Sequence, residues 1–178
     1  MDARKAIKKQ FMKEYSRKDF TAITIKGLCA ATPVARTTFY SYYNNTNDVK
    51  EEIETELING LIYVSQTVSG GNLPNMDFPT FMDAVEAFIK DHWSDIFAFL
   101  VCQPNLRFMR KWKDAIKANF RMRYPEKVQS GNYEAVAEMV ATSMVSAYAY
   151  WMEYPDTVST KDIKPLLHKV LESLVDLI

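Results

Sequence analysis

The chain has 178 residues, 48% apolar, 25% charged and 13% aromatic, which suits one or two globular domains and excludes a disordered chain. Lys and Arg total 22, as do Asp and Glu; ten basic and four acidic residues in 1–50 give +6 there, leaving −6 for 51–178, so the first part is suited to a polyanion. The longest apolar run is Ile96–Cys102, far short of the roughly 20 residues that span a bilayer, and the charged N-terminus has no apolar signal core. Cys29 and Cys102 have no partner spacing, His92 and His168 have no ligand neighbours, and no Gly-rich phosphate loop occurs. A cytoplasmic protein with small buried cysteines is expected, with no membrane segment, metal, cofactor or catalytic centre.

In chain order, Asp2 caps a first helix whose Ala3, Ile7, Phe11 and Tyr15 share one stripe, opposite Arg4, Lys5, Lys8, Lys9 and Lys13. Thr24 caps a short second helix to about Ala31, Thr32-Pro33 interrupts, and a third short helix covers about Ala35 to Tyr42. Asn44-Asn45-Thr46-Asn47 caps a long fourth helix ending near Gly70, with Asp48, Glu51, Glu52 and Glu54 in its first turns. After a loop over 70–75, Pro79 opens a fifth helix whose apolar positions run through Val85, Ile89, His92 and Ile96 to Leu100, ended by Pro104. A sixth runs from about Asn105 to Arg123 and a seventh from Tyr133 to Glu153. The last runs from about Asp162 to Ile178, with Pro165 tolerable only in its first turn. The fold expected is all-α.

Three helices in the first 45 residues, the second and third short and joined by a tight turn, fit a helix-turn-helix, which lays its second short helix in the DNA major groove. From Phe20 to Asn47 there is no Asp or Glu, as a surface lying against phosphates requires. Lys26, Arg36, Thr37, Thr38, Tyr40, Ser41 and Tyr42 offer donors for phosphate oxygens, and an Arg can bridge guanine O6 and N7. A solvated, uncharged face on a small bundle is the competing explanation.

Ile23-Thr24-Ile25-Lys26-Gly27-Leu28-Cys29-Ala30-Ala31 and Val34-Ala35-Arg36-Thr37-Thr38-Phe39-Tyr40-Ser41-Tyr42-Tyr43 closely resemble the DNA-binding segment of the TetR family of bacterial repressors. The resemblance covers about residues 5–50, with Ile7, Phe11 and Phe20 also in place. It implies a DNA-binding domain over 1–46 and a divergent helical domain over 47–178 that binds a small effector and dimerises. By position it makes Arg36 and Thr37 base readers, Lys26 a base or phosphate contact, and Thr38, Tyr40 and Tyr42 phosphate or thymine-methyl contacts. Thr24 both caps its helix and donates to phosphate, while Phe39, Val34, Leu28, Cys29 and Tyr43 match buried positions. Two departures stand out. Pro33 replaces the family's turn glycine and cannot adopt its positive φ, so the second helix must end otherwise, with room for a tilted recognition helix. Thr46 replaces the usual Lys at the head of the fourth helix, leaving a Thr cap and backbone amides to hold phosphate. Weaker or altered DNA binding is expected.

In the second part, large aromatics and Met at helical spacing are mostly ordinary core. An imperfectly filled bundle would instead offer a mainly apolar effector Tyr63, Phe88, Phe97, Trp112 and Met139, oriented by polar groups such as Thr67 or a partly buried His92. The basic run from Arg110 to Arg123 reads as a solvated face. Wide apolar arcs on the last two helices, including Met144, Tyr148, Leu167, Leu171 and Leu174, suit either burial in one subunit or a four-helix interface between two copies; the resemblance favours a homodimer. The function expected is a repressor on double-stranded DNA, released from a pseudo-palindromic operator by a small apolar effector. The alternative is a helical protein that sequesters small molecules or lipids and has a degenerate DNA-binding head; no catalytic dyad supports an enzyme.

Overall fold

The computed structural model describes residues 2–69 and 77–178, so the loop expected over 70–75 lies outside the described residues. Among the described residues every regular element is helical. The chain forms two compact units: residues 2–57 with Ser94–Pro104, and Ile58–Trp93 with Asn105–Ile178. The division falls inside the fourth helix, eleven residues beyond the expected boundary at 46, and the first unit gains a segment from the middle of the chain.

In the first unit, α1 (Ala3–Tyr15) starts under Asp2, whose carboxylate accepts from the Arg4 and Lys5 amides at 3.0 and 3.4 Å. A 3-10 turn (Phe20–Ala22) leads to α2 (Ile25–Ala30), capped by Thr24, whose hydroxyl oxygen accepts from the Gly27 amide at 3.0 Å. Pro33 is accommodated with a right-handed residue closing the helix before it. Ala31 closes α2 at φ −91°, ψ −1°, and the Thr32 hydroxyl donates to the Leu28 carbonyl at 2.8 Å, satisfying a terminal acceptor. α3 (Arg36–Tyr40) is shorter than the 35–42 expected, because Ala35 is extended and Ser41 already closes the helix. Ile7, Phe11, Leu28, Phe39 and Val49 are wholly buried, each such side chain worth about 1.5–3 kcal/mol of transfer free energy.

α4 (Thr46–Ser69) is capped by Asn45 and not by Thr46: Asn45 Oδ1 accepts from the Asp48 amide at 3.0 Å, and Asp48 Oδ2 accepts from the Asn44 backbone and side chain at 2.9 and 3.0 Å. The predicted fifth helix is broken. α5 (Phe78–Asp91) begins under Asp77, which accepts from the Thr80 amide, and stops at His92, which has φ −113° and ψ 24°. α6 (Trp93–Phe97) and a π-helical turn (Ala98–Cys102) follow, closed by the Gln103 amide donating to the Ala98 carbonyl at 3.0 Å. Phe99 of this turn packs 5.1 Å from Tyr15 of α1. Apolar residues at Ile89, Ile96 and Phe99 kept one helical spacing across the break, and no Gly or Pro marks it.

The second unit contains α5, the remainder of α4, α7 (Leu106–Arg123), α8 (Tyr133–Glu153) and α9 (Thr160–Val175). α8 is its core helix, buried at Tyr133, Val136, Ala137, Val140 and onward to Met152. α9 starts at Thr160, two residues before the expected Asp162, which puts Pro165 inside the helix and past its first turn. The hydrogen bond that Pro165 cannot donate would run to the Lys161 carbonyl, at an exposed position open to solvent. Neither cysteine is buried as expected: Cys29 is half-buried and Cys102 exposed, both as free thiols.

Candidate nucleic-acid interface

α2 and α3 sort their residues by face. Leu28, Val34, Phe39 and Tyr43 are buried, while Thr24, Lys26, Arg36, Thr37, Tyr40, Ser41 and Tyr42 are exposed and Thr38 and Thr46 are half-buried. Tyr40 and Tyr42 expose 57% and 49% of their surface. Phe39 holds this face from beneath, with Tyr43 at 5.6 Å and Tyr40 edge-on at 5.8 Å. The helix-turn-helix thus presents hydroxyls, one ammonium, one guanidinium and two phenols, with no carboxylate from Phe20 to Asn47. At the N-terminus of α4 the cap comes from Asn45 and the Asp48 carboxylate reaches back to Asn44, so Thr46 is not the capping residue.

The basic side of α1 is partly neutralised. Arg4 and Lys8 reach Glu52 at 2.6 and 2.9 Å, Lys8 also reaches Glu56, and Lys18 reaches Glu14 at 2.7 Å. Burial would raise the Glu52 carboxyl, but hydrogen bonds from Arg4 and Lys8 outweigh it and hold the group below its ordinary 4.5. Burial pushes the Tyr43 phenol up to about 12, against a smaller opposing contribution from Arg4.

Sequence reasoning missed Gln103. Its Nε2 donates to the carbonyls of Tyr15 and Lys18 (the latter at 2.7 Å), and its Oε1 accepts from the Phe20 amide at 3.1 Å. One carboxamide therefore satisfies three backbone groups of the connection between α1 and α2. No local pattern announces such a side chain, because its partners lie more than eighty residues away.

Of the residues expected to hold an effector, the structure gathers few. Trp112 is buried and walls a cavity with Leu61, Ser65, Phe81, Ile116 and Tyr148. Tyr63, Thr67 and Met139 are exposed, and so is His92, which closes α5 instead of lying half-buried on its apolar stripe. Phe88 is half-buried over Gly60, and Phe97 belongs to the first unit. A second cavity shares Phe81, Ile116, Asn119 and Met144 with the first and is closed by Phe78, Phe120 and Leu171. Their free volumes are about 20 and 50 Å³, room for single waters. Asn119 and Ser65, bonded at 2.9 Å, and the buried Tyr148 hydroxyl, 3.6 Å from Met82 Sδ, supply polarity to the first cavity.

Of the residues expected at a dimer interface, Met144, Tyr148, Leu167 and Leu171 are buried inside the chain, where Trp112 stacks on Tyr148 at 5.8 Å. Leu174 instead borders an open groove between α8 and α9 with Met139, Ser143, Leu166 and Val170. Leu166 exposes 61% and Met139 54%, so the excess width of the two apolar arcs is what lies outside.

No helix among the described residues is long and apolar enough to cross a membrane, and no group of three or more His, Cys, Asp or Glu there could hold a metal ion. No family model matches the chain, and no curated protein matches it. A solved structure similar to it is the dihydroxyacetone kinase operon activator DhaS, with a TM-score of 0.63 and 13% identity over 98% of this chain and 95% of that one. At that identity the likeness is one of fold.

Proposed function

We propose that the chain is a sequence-specific DNA-binding transcriptional regulator of the TetR kind that works as a homodimer. The observation that carries this is the outer face of α2 and α3: Lys26, Arg36, Thr37, Tyr40, Ser41 and Tyr42 turned to solvent over a buried Phe39, in a segment without a carboxylate. Arg36 opens α3, the end of a recognition helix that reads base edges, and Thr37 stands beside it. Lys26, Thr24, Thr38, Tyr40 and Tyr42 supply phosphate and methyl contacts, and two heads related by a two-fold axis fit a pseudo-palindromic site. The second copy docks on the groove of Met139, Ser143, Leu166, Val170 and Leu174.

The joined cavities beside Phe81, Trp112, Asn119 and Met144 are the effector site of this reading. Because their free volumes of about 20 and 50 Å³ are too small for it, a mainly apolar small molecule enters only a wider conformer. Its binding then favours that conformer by mass action, which makes the site responsive and not merely occupied. Cavities this small disfavour storage of a lipid chain, the rival function. The sign of regulation depends on where the operator lies relative to a promoter: the similar structure is named an operon activator, whereas a site overlapping the promoter gives repression. Selection of bound duplexes from a random pool tests the proposal. Enrichment of a two-fold symmetric motif is expected, and recovery of unselected sequence would overturn it.

A further inference from the structure

We infer that Gln103 is a positioning residue for DNA reading: its side chain holds the connection from α1 into α2, and through it the orientation of α2 and α3. This rests on the proposed function, since it concerns the same reading head. The connection leaves α1 at Tyr15 and passes Lys18 to the 3-10 turn at Phe20. Gln103 engages all three: it donates to the Tyr15 and Lys18 carbonyls and accepts from the Phe20 amide. The assignment of its amide ends is fixed by these partners, two acceptors on one side and one donor on the other.

Two further observations place the residue there. The Tyr15 hydroxyl donates to the Gln103 carbonyl at 3.4 Å, and Phe99 lies against the Tyr15 ring, so backbone and side chain are both held on the end of α1. Gln103 is also the residue whose amide closes the π-helical turn on Ala98. That wider register is uncommon and concentrates where a side chain must be re-aimed for a task. Without the tether, a short connection loses three hydrogen bonds, and the entry to α2 loses its fixed path. Phosphate attraction survives such loosening because it is long-ranged; base reading does not, because it needs Arg36 in register.

The test uses the full chain with Gln103→Ala and with Gln103→Met, which keeps bulk and removes the hydrogen bonds. Amide hydrogen exchange at Phe20 and along α2 and α3 is expected to speed up about tenfold in both variants, the loss of one ordinary hydrogen bond, while Val140 and Val145 of α8 keep their protection. Affinity for the selected duplex falls by a similar factor while affinity for random duplex holds. Wild-type exchange at Phe20 in Gln103→Met, or equal loss of protection along α8, overturns the inference. Should the wild type prefer no duplex, the proposed function fails and the exchange arm alone still decides the role of Gln103.

Discussion

Arg36 and Lys26 differ in what their removal should cost. A guanidinium paired with guanine reads one base step, so Arg36→Ala should remove about 1–3 kcal/mol of discrimination there and little elsewhere. Lys26→Ala should weaken all duplexes alike and reduce the slope of log K against log salt by about 0.9. Competition titrations over several salt concentrations separate the two; equal loss on all sequences for Arg36→Ala would remove it from base reading. Gly60 offers a second residue-scale prediction. Helix propensity alone rewards Gly60→Ala by about 1 kcal/mol. A Cβ at Gly60, however, would lie 2.4 Å from the Phe88 ring, so the ring must leave its notch. Denaturant melts should show Gly60→Ala destabilised, with the propensity gain recovered in a Phe88→Ala background. Phe88 shows why cavity-lining residues are hard to tell from sequence: an aromatic at helical spacing looks the same whether it walls a cavity or fills a notch.

At the scale of elements, the helix-turn-helix was largely legible and the second unit less so. Thr24, Leu28, Val34 and Phe39 lie in a run where cap, turn and apolar spacing are all local, and local chemistry is what a sequence states openly. Even the departure at Pro33 had its remedy one residue away, in the Thr32 hydroxyl. The break at His92, the re-entry of Ser94–Pro104 into the first unit and the Gln103 bonds depend on contacts between distant residues, and the pattern has no mark for them. The pairing of α5 with α9 is another such contact. Glu86 accepts from Lys164, from Lys90 at 2.6 Å and from Thr160 at 2.9 Å. Burial would raise its carboxyl, but these partners prevail and hold it at about 2, against an ordinary 4.5. A depressed carboxyl stabilises the fold above its unfolded value, and the contribution fades as pH falls through the folded one. Melting temperature should therefore drop between pH 4.5 and about 2, and Glu86→Gln should be less stable near neutrality with a flatter acid limb.

For the whole molecule, the proposed dimer turns on the outer stripe of α8 and α9. Leu166→Glu places a carboxylate in the middle of that face and should weaken self-association by about a hundredfold or more, the cost of burying an unpaired charge. Light scattering across a dilution series reads this directly, and motif recognition should fall with it, since one head grips half a site. An unchanged dimer would move the interface elsewhere. The arc pattern leaves burial within one chain and an interface between two copies equally open, because packing inside the chain uses up only one side of each arc.

The ion pairs on α1 change how strongly a polyanion is felt. Of ten cations in the first fifty residues, Arg4, Lys8 and Lys18 are already spent on internal carboxylates, and Lys50 sits 4.0 Å from the centroid of the Phe20 ring. If the proposed function holds, such a head would grip any duplex less firmly than its composition advertises. A regulator with so muted an appetite for arbitrary DNA would spend less time parked on the chromosome at large, so fewer copies would suffice to keep its own address filled.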